Sequence, residues 1–251
     1  MKIWENSEYW VRINGTPISE LGFMLGENGV KVAQPELKTS SVTVPGLSGA
    51  LDTTLEDQTM RAYLNPIEIS VSLVAVGEPD EISAVRANLI RLQGRRGTLS
   101  CYLTDGEWRG RWRISELEYP GKSRRVIVAT LILTAQPWAY GRKNTVQLKS
   151  RETQISVAGN IPCWPRFEMN VDTDVLRITH NSGAFLEFDI GVHLNGTLIA
   201  STAPEHREYM INGNHILPTV DSTCFALRPG LNTIVCDDCA GVLTFRPQTI
   251  F

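Results

Sequence analysis

Alternation of apolar and polar residues with a period of two dominates this 251-residue chain. It is clearest in the segment PIEISVSLVAV, where Ile67, Ile69 and Val71 alternate with polar residues, and it recurs between Val126 and Leu133. Successive side chains of a β-strand point to opposite faces of a sheet, so this period is that of strands with one buried face. The chain is therefore predicted to fold mainly into β-sheets.

Only one segment, PDEISAVRANLIRLQG, has the spacing of an amphipathic helix. Its apolar residues recur at intervals of three and four on one helical face: Ile82, Val85, Leu89 and Leu92. Pro79 suits the first helical turn, and Gly94 suits the end. A single helix among many strands, without an alternating strand and helix rhythm, predicts antiparallel sheets.

The second half of the chain has its own rhythm. Short alternating segments such as RFEMNV, VLRITH and AFLEFDI follow one another at spacings of roughly 8 to 12 residues, which is typical of a β-sandwich. The polar run GRKNTVQLKS follows the aromatic corner Pro137–Tyr140 and favours a boundary there. The prediction is a domain at 1–141, a linker at 142–150 and a second domain at 151–251.

Composition excludes several classes of protein. With 42% hydrophobic and 20% charged residues, the chain has the composition of an ordinary folded protein rather than a disordered one. No apolar run approaches the roughly twenty residues that span a bilayer, and the N-terminal residues mix charges with aromatics, so neither a membrane span nor a secretory signal is expected. Five widely spread cysteines, an odd number, favour a reducing compartment.

Cys236 and Cys239 have the spacing of half a zinc site. Further ligands are conceivable at these residues: Cys224, His193, His206 and His215. A second pair of closely spaced cysteines is missing, and a β-turn between two strands explains the spacing equally well. We therefore predict that the pair binds no metal.

Three other motifs come close to catalytic patterns. Gly46-Leu47-Ser48-Gly49-Ala50 has alanine where a nucleophile elbow needs its last glycine. Gly121-Lys122-Ser123 resembles the end of a phosphate loop, but Glu116 stands where that loop needs glycine. Glu187 and Asp189 share one face of a strand without a fixed partner across a cleft. The sequence predicts no catalytic residue, no cofactor and no enzyme.

Charge is segregated along the chain. Residues 1–85 carry 5 basic and 12 acidic groups, whereas residues 86–125 carry 10 and 4. Within the basic part, strand alternation in WRGRWR places Arg109, Arg111 and Arg113 on one face and two tryptophans on the other. Five further arginines could extend this basic surface: Arg91, Arg95, Arg96, Arg124 and Arg125. A contact with an acidic surface across a subunit boundary is favoured over DNA binding, because no aromatic is interleaved on the basic face.

The order of these features resembles that of phage distal tail proteins. The N-terminal half carries ISELGFMLGENG with Gly22, a Val44-Pro45-Gly46 hairpin, the single helix, Asp105-Gly106, and the Pro137–Tyr140 corner. The C-terminal half carries Gly159-Asn160-Ile161-Pro162, the turn LRPGLN and the closing VLTFRP, as in the galectin-like sandwich of that family. Each motif alone is weak, and it is their order that carries the resemblance.

The resemblance implies a mainly β protein in which an N-terminal β-barrel or sandwich domain with one helix precedes a galectin-like antiparallel β-sandwich. It implies a structural virion protein that is made in the host cytoplasm and forms a hexameric ring at the tail tip. The implied partners are further copies of itself, the tail tube protein, a tail-tip hub protein and possible receptor-binding proteins. DNA would pass through the ring without sequence-specific binding.

Residues 40–58 are predicted to form a long hairpin that is poor in core-forming side chains. Together with the arginine face, the hairpin is the candidate subunit contact, formed by Val44, Pro45, Gly46, Leu47, Ser48, Gly49, Arg109, Arg111 and Arg113. A mobile surface loop is the alternative for this segment.

A rival function is a carbohydrate-binding module in which the C-terminal sandwich holds host-surface sugars. Its aromatic candidates are Trp164, Phe185, Phe188, Tyr209 and Phe225.

Overall fold

The structure is a computed structural model that describes residues 9–46, 48–56, 62–121, 124–191, 196–237 and 239–250. By its internal contacts the chain separates into two compact units, with the division between Ala139 and Tyr140. We call the N-terminal part unit 1 and the C-terminal part unit 2.

Unit 1 consists, in its described residues, of one antiparallel sheet, one separate hairpin and one α-helix. Its strands are β1 (Val11–Ile13), β2 (Thr16–Pro17), β3 (Met24–Val32), β4 (Ser41–Thr43), β5 (Ala50–Asp52), β6 (Ile67–Val76), β7 (Arg96–Cys101), β8 (Thr104–Glu118) and β9 (Val126–Ala135), and helix α1 spans Pro79–Ile90. The strand order in the sheet is β2-β1-β7-β8-β9-β6-β3. A short strand β10 (Ala139–Tyr140) lies at the division between the units.

Strands β6 and β9 are neighbouring inner strands of this sheet and pair along their entire lengths. The inner-face residues Ile69, Val71 and Leu73 of β6 are fully buried, as the alternation predicts. Burying one such side chain contributes about 1.5 to 3 kcal/mol. The core of unit 1 is therefore built mainly from the segments whose period identified them as strands.

Helix α1 covers part of that core. At its start the backbone N–H of Glu78 donates to the Glu81 carboxylate at 2.9 Å, which satisfies a donor at the helix N-terminus. Ile82 and Leu89 are buried, while Val85 and Leu92 are partly buried against the same core, so the predicted apolar face is confirmed. No helix among the described residues is long and apolar enough to cross a membrane.

Gly22 is placed where a side chain cannot fit. Its φ is +85°, in the left-handed region that favours glycine, and a Cβ there would lie 2.6 Å from Val85 Cγ2. The turn before β3 therefore approaches the helix closely because residue 22 has no side chain.

Unit 2 consists of two antiparallel sheets with one shared apolar core. Its strands are β11 (Asn144–Leu148), β12 (Glu152–Val157), β13 (Arg166–Val171), β14 (Val175–His180), β15 (Phe185–Asp189), β16 (Gly196–Ser201), β17 (Glu208–Ile211), β18 (Asn214–His215), β19 (Gly230–Cys236), β20 (Ala240–Phe245) and β21 (Gln248–Thr249), and a 3-10 turn spans Pro204–His206. One sheet has the order β11-β20-β13-β16-β17-β18 and the other β12-β19-β14-β15. The predicted antiparallel sandwich is confirmed.

The prediction of a linker at 142–150 is wrong for its central part. Residues 144–148 form β11, which pairs with β20 from Asn144 opposite Phe245 to Leu148 opposite Gly241. Leu148 is 2% exposed and belongs to the unit 2 core. The polar residues of this segment face away from the core, and only Val146 and Leu148 carry an apolar signal. Such a signal is too short to distinguish an edge strand from a linker.

Candidate functional site

The predicted hairpin exists as the isolated pair β4 and β5, outside the main sheet. Ser41 lies opposite Asp52 and Thr43 opposite Ala50, in antiparallel register. At the base the Thr53 backbone N–H donates to the Ser40 carbonyl at 2.9 Å. Hydrogen bonds from Thr54 lower the pKa of the Asp52 carboxyl. The base of the hairpin is thus held by local hydrogen bonds rather than by apolar packing.

Both faces of this hairpin are exposed, and they carry large aliphatic side chains. The exposed fractions are 51% for Val42, 40% for Val44, 52% for Leu51 and 75% for Leu55. All six strand residues of β4 and β5 are exposed. A two-stranded hairpin with no buried face is only marginally stable by itself. The apolar hairpin side chains are therefore available to pack on another surface.

The tip of the hairpin contains Pro45, Gly46, Ser48 and Gly49, all of them exposed. Gly46 and Gly49 have φ angles of +85° and +89°, so the reversal of the chain uses conformations that favour glycine. Leu47, which the sequence also assigned to the contact, lies outside the described residues. Ser48 therefore stands on an exposed turn, as the hairpin interpretation requires.

The arginine segment of β8 has the predicted two faces. Trp108 and Trp112 are 1% and 0% exposed, and the three arginines between and after them point outward. On the inner side, the Trp112 indole N–H donates to the Asn14 side-chain oxygen at 3.4 Å. One face of this strand therefore anchors the core, and the other presents guanidinium groups.

Each of these three arginines has a partner within the chain. Arg109 pairs with the Glu107 carboxylate of the same strand, and Arg113 Nη2 lies 3.1 Å from Glu68 Oε1 on β6. Arg111 donates to the Gly94 carbonyl after α1. Exposed ion pairs of this kind contribute little to stability, about 0 to 1 kcal/mol. They do show that the charges of Arg109 and Arg113 are partly matched before any subunit contact forms.

The wider basic surface is divided. Arg96 lies directly opposite Arg111 in the pairing of β7 with β8. Arg124 and Arg125 instead precede β9, and Arg125 pairs with Glu78 at the start of α1 at 3.2 Å. The expectation that Arg124 and Arg125 extend the patch around β8 is therefore wrong, because the antiparallel register places them at the far end of the sheet.

Cys236 and Cys239 are buried, at 1% and 4% exposure, at the connection between β19 and β20. A hydrogen bond with Cys239, together with burial, raises the pKa of the Cys236 thiol. The described part of the chain holds no group of three or more His, Cys, Asp or Glu side chains that could ligate a metal, and His193 lies outside it. Cys224 contacts the Tyr209 hydroxyl at 2.9 Å instead.

Among the described residues, no catalytic partner lies beside the other near-catalytic motifs. Glu187 pairs with Arg177 at 3.4 Å, on the face of β15 that it shares with Asp189. Gly121 has a φ of +82° in the turn before β9, while Lys122 and Ser123 lie outside the described residues. The carboxylate pair is thus part of an ion-paired surface.

Three of the five aromatic candidates of the carbohydrate-binding alternative are buried or have one ring face covered by another side chain. Phe188 and Phe225 are buried, at 0% and 5% exposure. The Arg177 guanidinium lies 3.8 Å from the centre of the Phe185 ring and covers one of its faces. A sugar needs an open aromatic face for stacking, and Phe185 offers at most its other face. The structure gives this alternative no specific support.

A buried polar cluster in unit 2 was missed by sequence reasoning. His180 Nε2 lies 3.0 Å from the Asn232 side-chain oxygen, and His180 Nδ1 accepts a hydrogen bond from the Ser182 backbone N–H at 3.2 Å. Asn232 also accepts from the Arg228 backbone and donates to the Arg228 carbonyl. The imidazole stacks on Phe225, with ring centres 5.0 Å apart. Burial lowers the pKa of His180. These residues lie 52 positions apart, so no local pattern could reveal them.

Residues 158–248 match a protein family, SPP1_Dit, described as siphovirus-type tail component, C-terminal domain. The comparison with curated proteins gave no match. Among solved structures, the Dit protein of phage SPP1 shares the fold with a TM-score of 0.72 and 16% identity, over 96% of this chain and 98% of that chain. That protein is described as a paradigm of the hub adsorption apparatus in phages infecting Gram-positive bacteria.

A chain of the phage p2 baseplate in its activated conformation with strontium is more distant. It has a TM-score of 0.47 and 6% identity, over 95% of this chain and 98% of that chain. The family match in unit 2 and the fold shared with SPP1 Dit together support a structural component of the phage tail, found in the virion. The resemblance to phage distal tail proteins predicted from the sequence is confirmed.

Proposed function

We propose that this chain forms a ring, most simply a hexamer, at the tail tip, where it joins the tail tube to the tip apparatus. In this proposal the protein acts by assembly and is not an enzyme. Its partners are further copies of itself, a tail tube protein and a tail-tip hub protein, and DNA passes through the ring without sequence-specific contacts.

The observation that carries the ring is the exposed hairpin of β4 and β5. Its four aliphatic side chains keep 40 to 75% of their surface exposed in the single chain, and contact with another subunit would bury that surface. A ring also needs a heterologous contact, in which two different surfaces of the subunit meet and the rotation closes. A projecting hairpin that packs on a different surface of the next copy meets this requirement.

The test replaces Pro45–Ala50 by a short Gly-Ser link. We expect a folded monomer, because the tip contributes nothing to the core, and we expect rings only from the unaltered protein. Native mass spectrometry and negative-stain imaging report the two states. A matched control replaces Gly213, in the exposed turn between β17 and β18, by a Gly-Ser pair and should leave rings intact.

Rings of normal size from the Pro45–Ala50 variant would show that the hairpin is not the subunit contact. An unaltered protein that remains monomeric at every concentration, also with neighbouring tail proteins present, would refute the ring itself.

A further inference from the structure

Unit 1 carries opposite charges at two places along its sheet. The first, which we call the basic pole, consists of Arg91, Arg95, Arg96 and Arg111, around the end of α1 and the start of β7. The second, which we call the acidic pole, consists of Glu78, Asp80, Glu81, Glu116 and Glu118, around the start of α1 and the end of β8. From the register of β8 with β9, in which Arg111 faces Thr134 and Glu118 faces Val128, the poles are about 20 Å apart.

The basic pole has an excess of positive charge that the described chain does not neutralise. Arg96 and Arg111 face each other directly across β7 and β8, an arrangement of like charges that is unfavourable in a sheet. Two carboxylates on this face of the sheet, Glu107 and Glu68, already pair with Arg109 and Arg113.

The helix end explains only part of the basic pole. The negative end of the helix dipole favours cations beyond Ile90, and Arg111 donates to the Gly94 carbonyl there. Arg95 and Arg96 make no side-chain hydrogen bond within the described residues. Their charge therefore remains available to an external anionic group.

The acidic pole has the opposite excess. Of its five carboxylates, Glu78 forms an ion pair with Arg125 at 3.2 Å. Glu81 caps the helix, and Glu116 accepts a hydrogen bond from Thr130 at 3.1 Å. Asp80 and Glu118 are exposed and face solvent.

We propose that the basic pole of one copy contacts the acidic pole of the next, head to tail, and so sets the direction and order of subunits in the assembly. The inference rests on the proposed ring and adds to it a second, electrostatic contact beside the hairpin. Since each copy carries both poles, the contact is heterologous and repeats from copy to copy. Protein carboxylates fit the basic pole better than single-stranded nucleic acid does, because Trp108 and Trp112 of the same strand are buried and cannot stack on bases.

The test uses two charge-reversed proteins of full length. Arg95→Glu with Arg96→Glu brings the net charge of the four-arginine basic pole to zero, and Asp80→Lys with Glu118→Lys reduces that of the five-carboxylate acidic pole from −5 to −1. These positions avoid the arginines and glutamates that have partners within the chain. Each variant alone should assemble into rings with an affinity at least about tenfold lower, because most of the attraction between the two poles is then lost. An equimolar mixture should restore rings of alternating copies, with even numbers of subunits, by native mass spectrometry.

Two controls accompany the mixture. Arg95→Lys with Arg96→Lys keeps the charge and should assemble normally, which separates the role of charge from damage to the fold. Ring formation by the unaltered protein should weaken between about 0.1 M and about 1 M salt, as the Debye length falls from about 10 Å to about 3 Å.

Normal rings from both charge-reversed proteins would overturn the proposed contact between the basic and acidic poles, while leaving the proposed ring intact. If the unaltered protein forms no rings, both the proposed ring and the proposed contact between the poles are refuted. Normal rings from the Arg95→Glu, Arg96→Glu protein together with loss of duplex DNA binding would show that the basic pole binds phosphate, and would also overturn the inference. Failure of the mixture to restore rings would mean that the two poles do not meet.

Discussion

The core of unit 2 encloses polar side chains, whereas the described core of unit 1 is apolar apart from its tryptophan indoles. The buried polar residues of unit 2 are His180, Thr202, Asn232 and Gln248. Unit 1 instead places its unusual chemistry outside, in an exposed aliphatic hairpin and two charged poles. Buried polar groups respond to protons, and exposed charges and apolar surfaces respond to salt and to neighbours. We therefore expect acid sensitivity in unit 2 and assembly behaviour in unit 1.

The largest effect should come from opening a cavity in each core. Leu131 in unit 1 and Leu176 in unit 2 are both fully buried, so Leu131→Ala and Leu176→Ala should each cost about 2 to 5 kcal/mol. Hydrogen exchange followed by mass spectrometry should show faster exchange mainly in the unit that carries the substitution. Equal acceleration in both units would mean that the two cores unfold as one.

A smaller effect should follow from breaking the buried polar cluster of unit 2. Asn232→Ala leaves the His180 Nε2 proton and the Arg228 backbone N–H without their acceptor, which should cost about 1 to 3 kcal/mol in the free energy of unfolding. Asn170→Ala, at an exposed position of β13, is the matched control and should change stability by less than about 0.5 kcal/mol. Denaturant titration measures both.

The same cluster should make unit 2, and not unit 1, sensitive to acid. Burial lowers the pKa of His180 in the folded state below its ordinary value of 6.5, so folding favours the neutral imidazole. Its contribution to stability is complete above pH 6.5 and is lost as the pH falls through the lowered pKa. The loss should be smaller than that from Asn232→Ala. Hydrogen exchange between pH 7.5 and pH 5 should show it, and His180→Gln should remove most of the pH dependence.

The smallest effect on stability should come from the hairpin. Leu51 is 52% exposed and packs on nothing in the core, so Leu51→Ser should change the free energy of unfolding by less than about 0.5 kcal/mol. The same variant should nevertheless assemble less readily, if the hairpin packs on a neighbouring subunit. A loss of stability comparable to that of Leu131→Ala would show that the hairpin supports the fold of its own chain.

Two cysteine thiols of unit 2, Cys163 and Cys224, should differ in their reactivity. Burial raises the pKa of Cys163 to about 12, so its thiolate is scarce at neutral pH, whereas Cys224 is only partly buried. A thiol reagent should modify Cys224 well before Cys163 in the folded protein. Peptide mapping after brief labelling measures the order, and equal rates would indicate that unit 2 opens readily.

Much of the candidate site could be predicted from local pattern. The two faces of β8 follow from the alternation of arginine and tryptophan, and the hairpin follows from Val44-Pro45-Gly46 and the glycines after it. The partners of the arginines could not be predicted. Arg113 reaches Glu68 across an intervening strand, and that distance depends on the strand order rather than on sequence spacing.

By itself the sequence determined the β class, the single helix and the existence of the hairpin, because periodicity and turn residues act over a few neighbouring positions. Only the tertiary structure decided that 144–148 is a strand rather than a linker, that Arg124 and Arg125 lie away from Arg96, and that His180 meets Asn232. These features depend on which distant segments pair and in which register. Pairing is fixed by the fit of whole faces to a common core, and no short stretch of sequence contains that information.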